Sequence, residues 1–149
     1  MAEQTTERMT IGASPATCFA VVTDFEHYPL WAADVKHVEL VEVDDQGRAT
    51  RVAWRVAAFG RSTSYTLAYD YSEAPEKLSW AEVEGDMTTM LDGSYEFRAT
   101  EDGETDVVYH LVVDLRVPLP AFVKRRAEGR IRGIALKQLK VRVESLSQV

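Results

Sequence analysis

The feature that most constrains this chain is a run of segments between Ala49 and Arg116 whose residues alternate apolar and polar with a period of two. RVAWRVAAFG places Val52, Trp54 and Val56 on one face and Arg51, Ala53 and Arg55 on the other. STSYTLAYDYS sets Tyr65, Leu67, Tyr69 and Tyr71 against Ser64, Thr66, Ala68 and Asp70. LSWAEVEG comes next, and then TTMLDGSYEFRAT opposes Tyr95 and Phe97 to Glu96 and Arg98. In VVYHLVVDLRV, residues Val107, Tyr109, Leu111, Val113 and Leu115 share a face, with His110, Asp114 and Arg116 on the other. An earlier strand, Val35 to Val43, enters this series through the turn DDQG, and APEK, Gly85-Asp86 and EDGET separate the rest. Connections this short make consecutive strands antiparallel neighbours. One apolar face per strand predicts a sheet covered on a single side.

The cover lies at the end of the chain. After VPLP, residues Val123, Ala127, Ile131, Ile134, Ala135, Gln138, Leu139 and Leu146 recur at spacings of three and four. They predict a helix of about 27 residues, about 40 Å long at the α-helical rise. Before the sheet, Glu7 to Ile11 alternate weakly and predict a short strand. Ser14-Pro15 then makes a helix start, a serine N-cap with proline at the first helical position, for a helix ending near Asp24. Pro29 interrupts the next segment, so Glu26 to Ala33 is read as one or two short helical turns. The expected fold is therefore α+β: a curved antiparallel sheet wrapped around a long C-terminal helix, with two short helices after the first strand.

At 149 residues, 46% hydrophobic and 28% charged, residues 1–149 are read as one globular domain with its own core. No apolar run reaches the roughly 18 residues of a membrane span. MAEQTTERMT lacks the apolar stretch of a secretory signal, and Cys18 is the only cysteine, so a cytoplasmic location is expected. The net charge of −7 is unevenly spread. From Leu119 onward, Lys124, Arg125, Arg126, Arg130, Arg132, Lys137, Lys140 and Arg142 face only Glu128 and Glu144, a segment charge of +6 that leaves −13 for the rest. The favoured expectation is the solvated face of one helix lying on an acidic body. The alternative is an interaction module in which this helix makes transient contact with an anionic membrane or an acidic protein. Nucleic-acid motifs are missing and an acidic body repels phosphate, so no nucleic-acid partner is expected.

Motifs that carry chemistry are sparse. His27, His37 and His110 are far apart and have no cysteine partners, so no metal site is expected. No phosphate loop, dinucleotide fingerprint or nucleophile elbow is present, and no cofactor is expected. Cys18, near Phe19 and Val22 on the first helix, is read as a small buried apolar residue rather than a nucleophile. Asp24 and His27 are read as a solvated pair at a helix end. Gly129 and Gly133 each cost helix stability, about 1 kcal/mol relative to alanine, without a function that the sequence supports. More conspicuous is DFEHYPLWAADVKHVEL, where Tyr28, Pro29 and Trp31 crowd a connection that would otherwise be polar.

The strings IGASPATCFAVVTDFEHYPLW (Ile11 to Trp31), VKHVEL (Val35 to Leu40) and VPLPAFV (Val117 to Val123) resemble the helix-grip superfamily, SRPBCC, which includes START-like lipid-binding domains and the birch-pollen allergen group. Within it the chain is similar to the bacterial polyketide cyclase/dehydrase and lipid-transport proteins. The resemblance covers nearly the whole chain and implies an elongated apolar cavity between sheet and long helix. It implies a small hydrophobic or amphipathic ligand there, such as a lipid, polyketide or quinone-like molecule, in a carrier or transfer role. The residues expected to line the cavity are Tyr28, Trp31, Trp54, Tyr65, Tyr69, Trp80, Tyr95, Phe97, Tyr109, Ile131 and Ile134. Their tyrosines would offer an apolar body with a hydroxyl that wants a partner. The alternative within the family is a polyketide aromatase/cyclase-dehydratase, which needs an arginine or tyrosine hydroxyls inside the pocket. By parity Arg51 and Arg55 point outward unless a bulge intervenes, which favours binding over catalysis and leaves no catalytic residue assigned. The segment YPLWAADV departs from the loop expected of the coenzyme-Q-binding branch.

Overall fold

A computed structural model describes residues 3–58, 61–115 and 136–146. Seven strands form one antiparallel sheet in the order β1-β7-β6-β5-β4-β3-β2. They are β1 (Glu3–Ile11), β2 (Val35–Val43), β3 (Ala49–Ala58), β4 (Arg61–Asp70), β5 (Lys77–Gly85), β6 (Thr88–Ala99) and β7 (Thr105–Leu115). Helix α1 (Pro15–Thr23) and a 3-10 helix (Phe25–Leu30) connect β1 to β2. Residues 136–146 form a second α-helix, α2. The elements make a helix-grip α+β fold, as the sequence leads one to expect.

Local chemistry explains the boundaries. The Ser14 hydroxyl accepts from the Thr17 amide at 3.3 Å, and Pro15 occupies the first helical turn, where no amide is needed. The DDQG turn is held by Asp44, whose carboxylate accepts from the Gln46 and Arg48 amides at 2.9 Å and from Arg48 Nε at 3.0 Å. These bonds, chiefly the Arg48 amide, hold the Asp44 carboxyl below its ordinary pKa. Gly47 has φ +81, a region that favours glycine, and Gly103 plays the same part in EDGET with φ +80.

β1 is longer than the weak alternation of Glu7 to Ile11 suggests. It starts at Glu3, because β7 offers a ladder from Glu3–Val113 to Ile11–Thr105 and backbone pairing is indifferent to side-chain polarity. The two-faced pattern holds for β3, β4, β6 and β7, whereas Val41 and Val43 of β2 are exposed. Val52, Trp54, Leu67, Leu78, Trp80, Leu91, Tyr95, Phe97, Val107, Tyr109, Leu111 and Val113 are buried on one side. Against them α1 packs Cys18, Val21 and Val22, and α2 packs Leu136, Leu139 and Val143. The apolar stripe of α2 thus differs from the expected one: Leu136 and Val143 belong to it, while Leu146 is exposed. The stretch from Val123 to Ala135, with Ile131, Ile134, Gly129 and Gly133, lies outside the described residues, as do Gly60 and most of the basic segment. Of that segment, Lys137 is exposed and Lys140 lies 4.0 Å from the Glu144 carboxylate. Glu144 also accepts from the Gly12 amide at 2.9 Å, tying α2 to the end of β1.

Candidate functional site

Most of the aromatic residues singled out from the sequence converge on the concave side of the sheet. Trp80 lies 5.3 Å from Tyr95, 6.0 Å from Tyr109 and 6.1 Å from Tyr69, and Tyr95 is 5.0 Å from Tyr109 and 5.9 Å from Phe97. Offset and tilted rings at these distances are favourable pairings. The wall has room for Trp80 because its cross-strand partner is Gly93. A Cβ at 93 would stand 2.6 Å from Trp80 Cζ2 and 2.5 Å from the His110 carbonyl oxygen, so a side chain there would displace the indole.

Two residues missing from the expected set complete the wall. Phe25, 3% exposed, sits 4.6 Å from Tyr69, 5.9 Å from Trp54 and 5.9 Å from Tyr28, and so joins the connection to the sheet. Phe19 stacks edge-on against Phe97 at 6.1 Å. Both are the apolar residues of their local pattern, Phe25 being the apolar residue of DFEH, and that was the available signal.

The crowded connection resolves into packing. Tyr28 is buried, its hydroxyl donates to the Val22 carbonyl at 2.7 Å, and its ring lies 4.7 Å from Trp54 and 4.6 Å from Trp31. Its hydroxyl is thereby committed to the backbone and closes the turn between α1 and the 3-10 helix. Trp31 is half-buried and borders a groove of about 420 Å³ between that helix and α2, with Leu30, Lys137, Gln138 and Val141. His27 Nδ1 meets Asp24 Oδ2 at 2.7 Å with both side chains exposed, so the pair is a solvated helix end. Cys18 is buried, and burial pushes its thiol pKa up, which suppresses the thiolate.

Arg51 and Arg55 lie on the outer face, as parity predicts. Arg51 pairs with Glu42 at 3.1 Å, and Arg55 borders a hollow of about 520 Å³ with His37, Glu39, Ser64, Thr66 and Glu84.

The tyrosine hydroxyls separate into two groups. Those of Tyr28 and Tyr71 are spent on backbone carbonyls, Tyr71 on Ala49 at 2.6 Å. Tyr71 also lies under the Arg48 guanidinium, 4.9 Å from its ring centre, and partial burial pushes its pKa up to about 12. Among the described residues, by contrast, Tyr65, Tyr95 and Tyr109 make no hydrogen bond through their hydroxyls. Tyr69 is approached by the buried Trp54 indole N–H, which forms no full hydrogen bond. Desolvation drives the pKa of all four well above the ordinary tyrosine value, and each is close enough to another to oppose its ionisation or, for Tyr65, to feel the Glu82 charge. Tyr65 and Tyr69 keep accessible surface although protein surrounds them.

Glu82 was not anticipated. It lies on the concave side in the row Leu78, Trp80, Glu82 and accepts a hydrogen bond from the buried Thr88 hydroxyl. The signal was legible, since the three residues share a face at a period of two.

This arrangement has close structural relatives. A START superfamily protein from Mycobacterium smegmatis superposes with a TM-score of 0.88 at 24% identity, over 96% of this chain and 98% of that one. The Zhui aromatase/cyclase from Streptomyces sp. R1128 does so with a TM-score of 0.82 at 14% identity, over 97% and 94%. At these identities the likeness is one of fold. No curated protein matches the chain. The model of the family described as polyketide cyclase / dehydrase and lipid transport matches residues 2–144. That match takes in α1, the whole sheet with its aromatic wall and nearly all of α2, and the chain belongs to this family.

Proposed function

We propose that the protein binds one small hydrophobic or amphipathic molecule, of lipid, polyketide or quinone-like character, in a cavity between the concave sheet face and the C-terminal helix. Its role is to carry or transfer that molecule within the cytoplasm, as a single helix-grip domain. The observation that carries this reading is the group of hydroxyls on Tyr65, Tyr95 and Tyr109. They lie deep in the protein and have no hydrogen-bond partner among the described residues. A buried hydroxyl without a partner costs free energy, so a native fold keeps such groups where water or a ligand satisfies them. Around them Trp80, Phe97 and Tyr69 supply the apolar surface that dominates small-molecule pockets.

Family membership and the aromatase/cyclase among the structural relatives keep ketone cyclisation in view. Arg51 and Arg55 face outward, however, so the groups available to polarise a carbonyl on the described part of the wall are hydroxyls that burial holds in the neutral form. Binding is therefore the preferred reading. Native mass spectrometry of the protein purified from its own host, followed by denaturing extraction, tests it. The expected result is a single adduct per chain that extraction identifies as an apolar or amphipathic molecule. An empty protein that also takes up no apolar probe would contradict the proposal.

A further inference from the structure

Helix α2 has an apolar residue that the fold does not use. Leu136, Leu139 and Val143 are buried in the core. Val141, two residues from both Leu139 and Val143, falls on the far side of the helix and is 70% exposed. It borders the groove of about 420 Å³ that also holds Leu30, 69% exposed, and the half-buried Trp31. Single exposed apolar residues are ordinary on a protein surface. Here the two most exposed large apolar residues of the described chain share one groove with a tryptophan. The corner that presents them is well anchored. The Trp31 amide donates to the Tyr28 carbonyl at 3.1 Å and its ring lies 4.6 Å from that of Tyr28, whose hydroxyl is bonded to Val22.

The same groove is basic. Lys137 and Arg142 line it, and among the described residues neither has an ion-pair partner. No carboxylate lines it. Glu26 of the 3-10 helix and Glu144 of α2 lie outside the lining, and Glu144 is engaged with the Gly12 amide and Lys140. At physiological ionic strength the field of an exposed charge decays within about 8 Å, so distant carboxylates of the acidic body do little to cancel these two cations.

Protruding apolar side chains, a tryptophan and unpaired cations are what a surface resting on a bilayer needs. The apolar groups enter the interface, the indole sits at headgroup level, and the cations meet anionic headgroups. An acidic protein would pair with the cations but would need a hollow shaped to Leu30 and Val141, whereas a bilayer deforms around them. We infer that the face formed by Leu30, Trp31 and Val141 with Lys137 and Arg142 docks on the surface of an anionic lipid bilayer. The inference does not depend on what the concave face holds.

Flotation of the full chain with vesicles tests it, using phosphatidylcholine alone and an equal mixture with phosphatidylglycerol. The wild type is expected to bind the mixed vesicles at least about tenfold more tightly than the neutral ones, with binding that falls as salt is raised. Lys137→Gln/Arg142→Gln should weaken binding to the mixed vesicles about tenfold. Leu30→Ser/Val141→Ser should weaken it by a similar factor, about tenfold, through lost apolar burial. Equal binding to the two vesicle types, binding to neither, or binding that either double variant leaves intact would overturn the assignment. Sedimentation equilibrium covers the other occupant: a wild-type dimer that Leu30→Ser/Val141→Ser abolishes would give the face to a second copy of the chain and overturn the membrane reading. Should a double variant not fold, Val141→Ser alone decides in its place, and full retention of vesicle binding by it overturns the inference.

Discussion

Replacing Phe25 with alanine is expected to cost about 3–5 kcal/mol of folding stability, at the upper end for a buried aromatic residue. Phe25 is the ring at which the 3-10 helix, β3 and β4 meet, through Tyr28, Trp54 and Tyr69. Its removal leaves a cavity bounded by large rings that cannot collapse without giving up their own contacts. The Tyr28 hydroxyl bond to Val22 would loosen with it, since Phe25 and Tyr28 stack nearly parallel. Urea unfolding followed by circular dichroism measures the loss. A cost under about 1 kcal/mol, the range of surface substitutions, would show that Phe25 is not the joint described here. Phe25→Leu should cost less, because it leaves a smaller void.

A second large effect is expected at alkaline pH. Tyr28, Tyr65, Tyr69, Tyr95 and Tyr109 have pKa values raised by burial, whereas in the unfolded chain each titrates near its ordinary value of about 10. Below that pH both states carry the proton and these groups contribute no pH dependence. Above it the unfolded chain releases protons that the folded chain retains, so stability falls as pH rises, by about 1.4 kcal/mol per tyrosine per pH unit. Five such groups remove several kcal/mol by about pH 11, a large part of an ordinary domain's 5–15 kcal/mol. Tyrosinate absorbance should therefore appear in one cooperative step that coincides with loss of the sheet's circular dichroism. Gradual, reversible ionisation of these tyrosines near pH 10 with the sheet intact would show that their hydroxyls are in contact with bulk water.

Much of the fold was legible because its main signals are local. The faces of β3, β4, β6 and β7 come from a period of two, and α1 starts where Ser14-Pro15 says it should. The departures have physical causes. β1 extends back to Glu3 because its length is set by β7, a partner that the pattern of β1 does not encode. The stripe of α2 runs through Leu136, Leu139 and Val143 rather than to Leu146 because the side that meets the sheet is chosen by the tertiary contact. Register shifts in β2, and between Thr66 and Leu67 against β5, are properties of strand pairs and leave no mark in one strand.

The candidate site was legible in outline, since Trp80, Tyr95, Phe97 and Tyr109 can be placed by parity alone. The division of the tyrosines was not. Nothing in the residue pattern says that Tyr28 and Tyr71 would find backbone carbonyls while Tyr65, Tyr95 and Tyr109 would not. Glu82 was readable but easily passed over, because a strand is scanned for its apolar residues and a carboxylate among them looks like an interruption.

The most direct test of the central claim, that the aromatic wall faces a space holding one apolar molecule, is a titration with the neutral probe N-phenyl-1-naphthylamine, read by energy transfer from tryptophan. The wild type should saturate at one probe per chain, and Trp80→Ala should weaken that uptake about tenfold, because Trp80 lies at the centre of the wall. Absence of saturable uptake, or uptake that Trp80→Ala leaves at full affinity, would place the probe elsewhere and contradict the account.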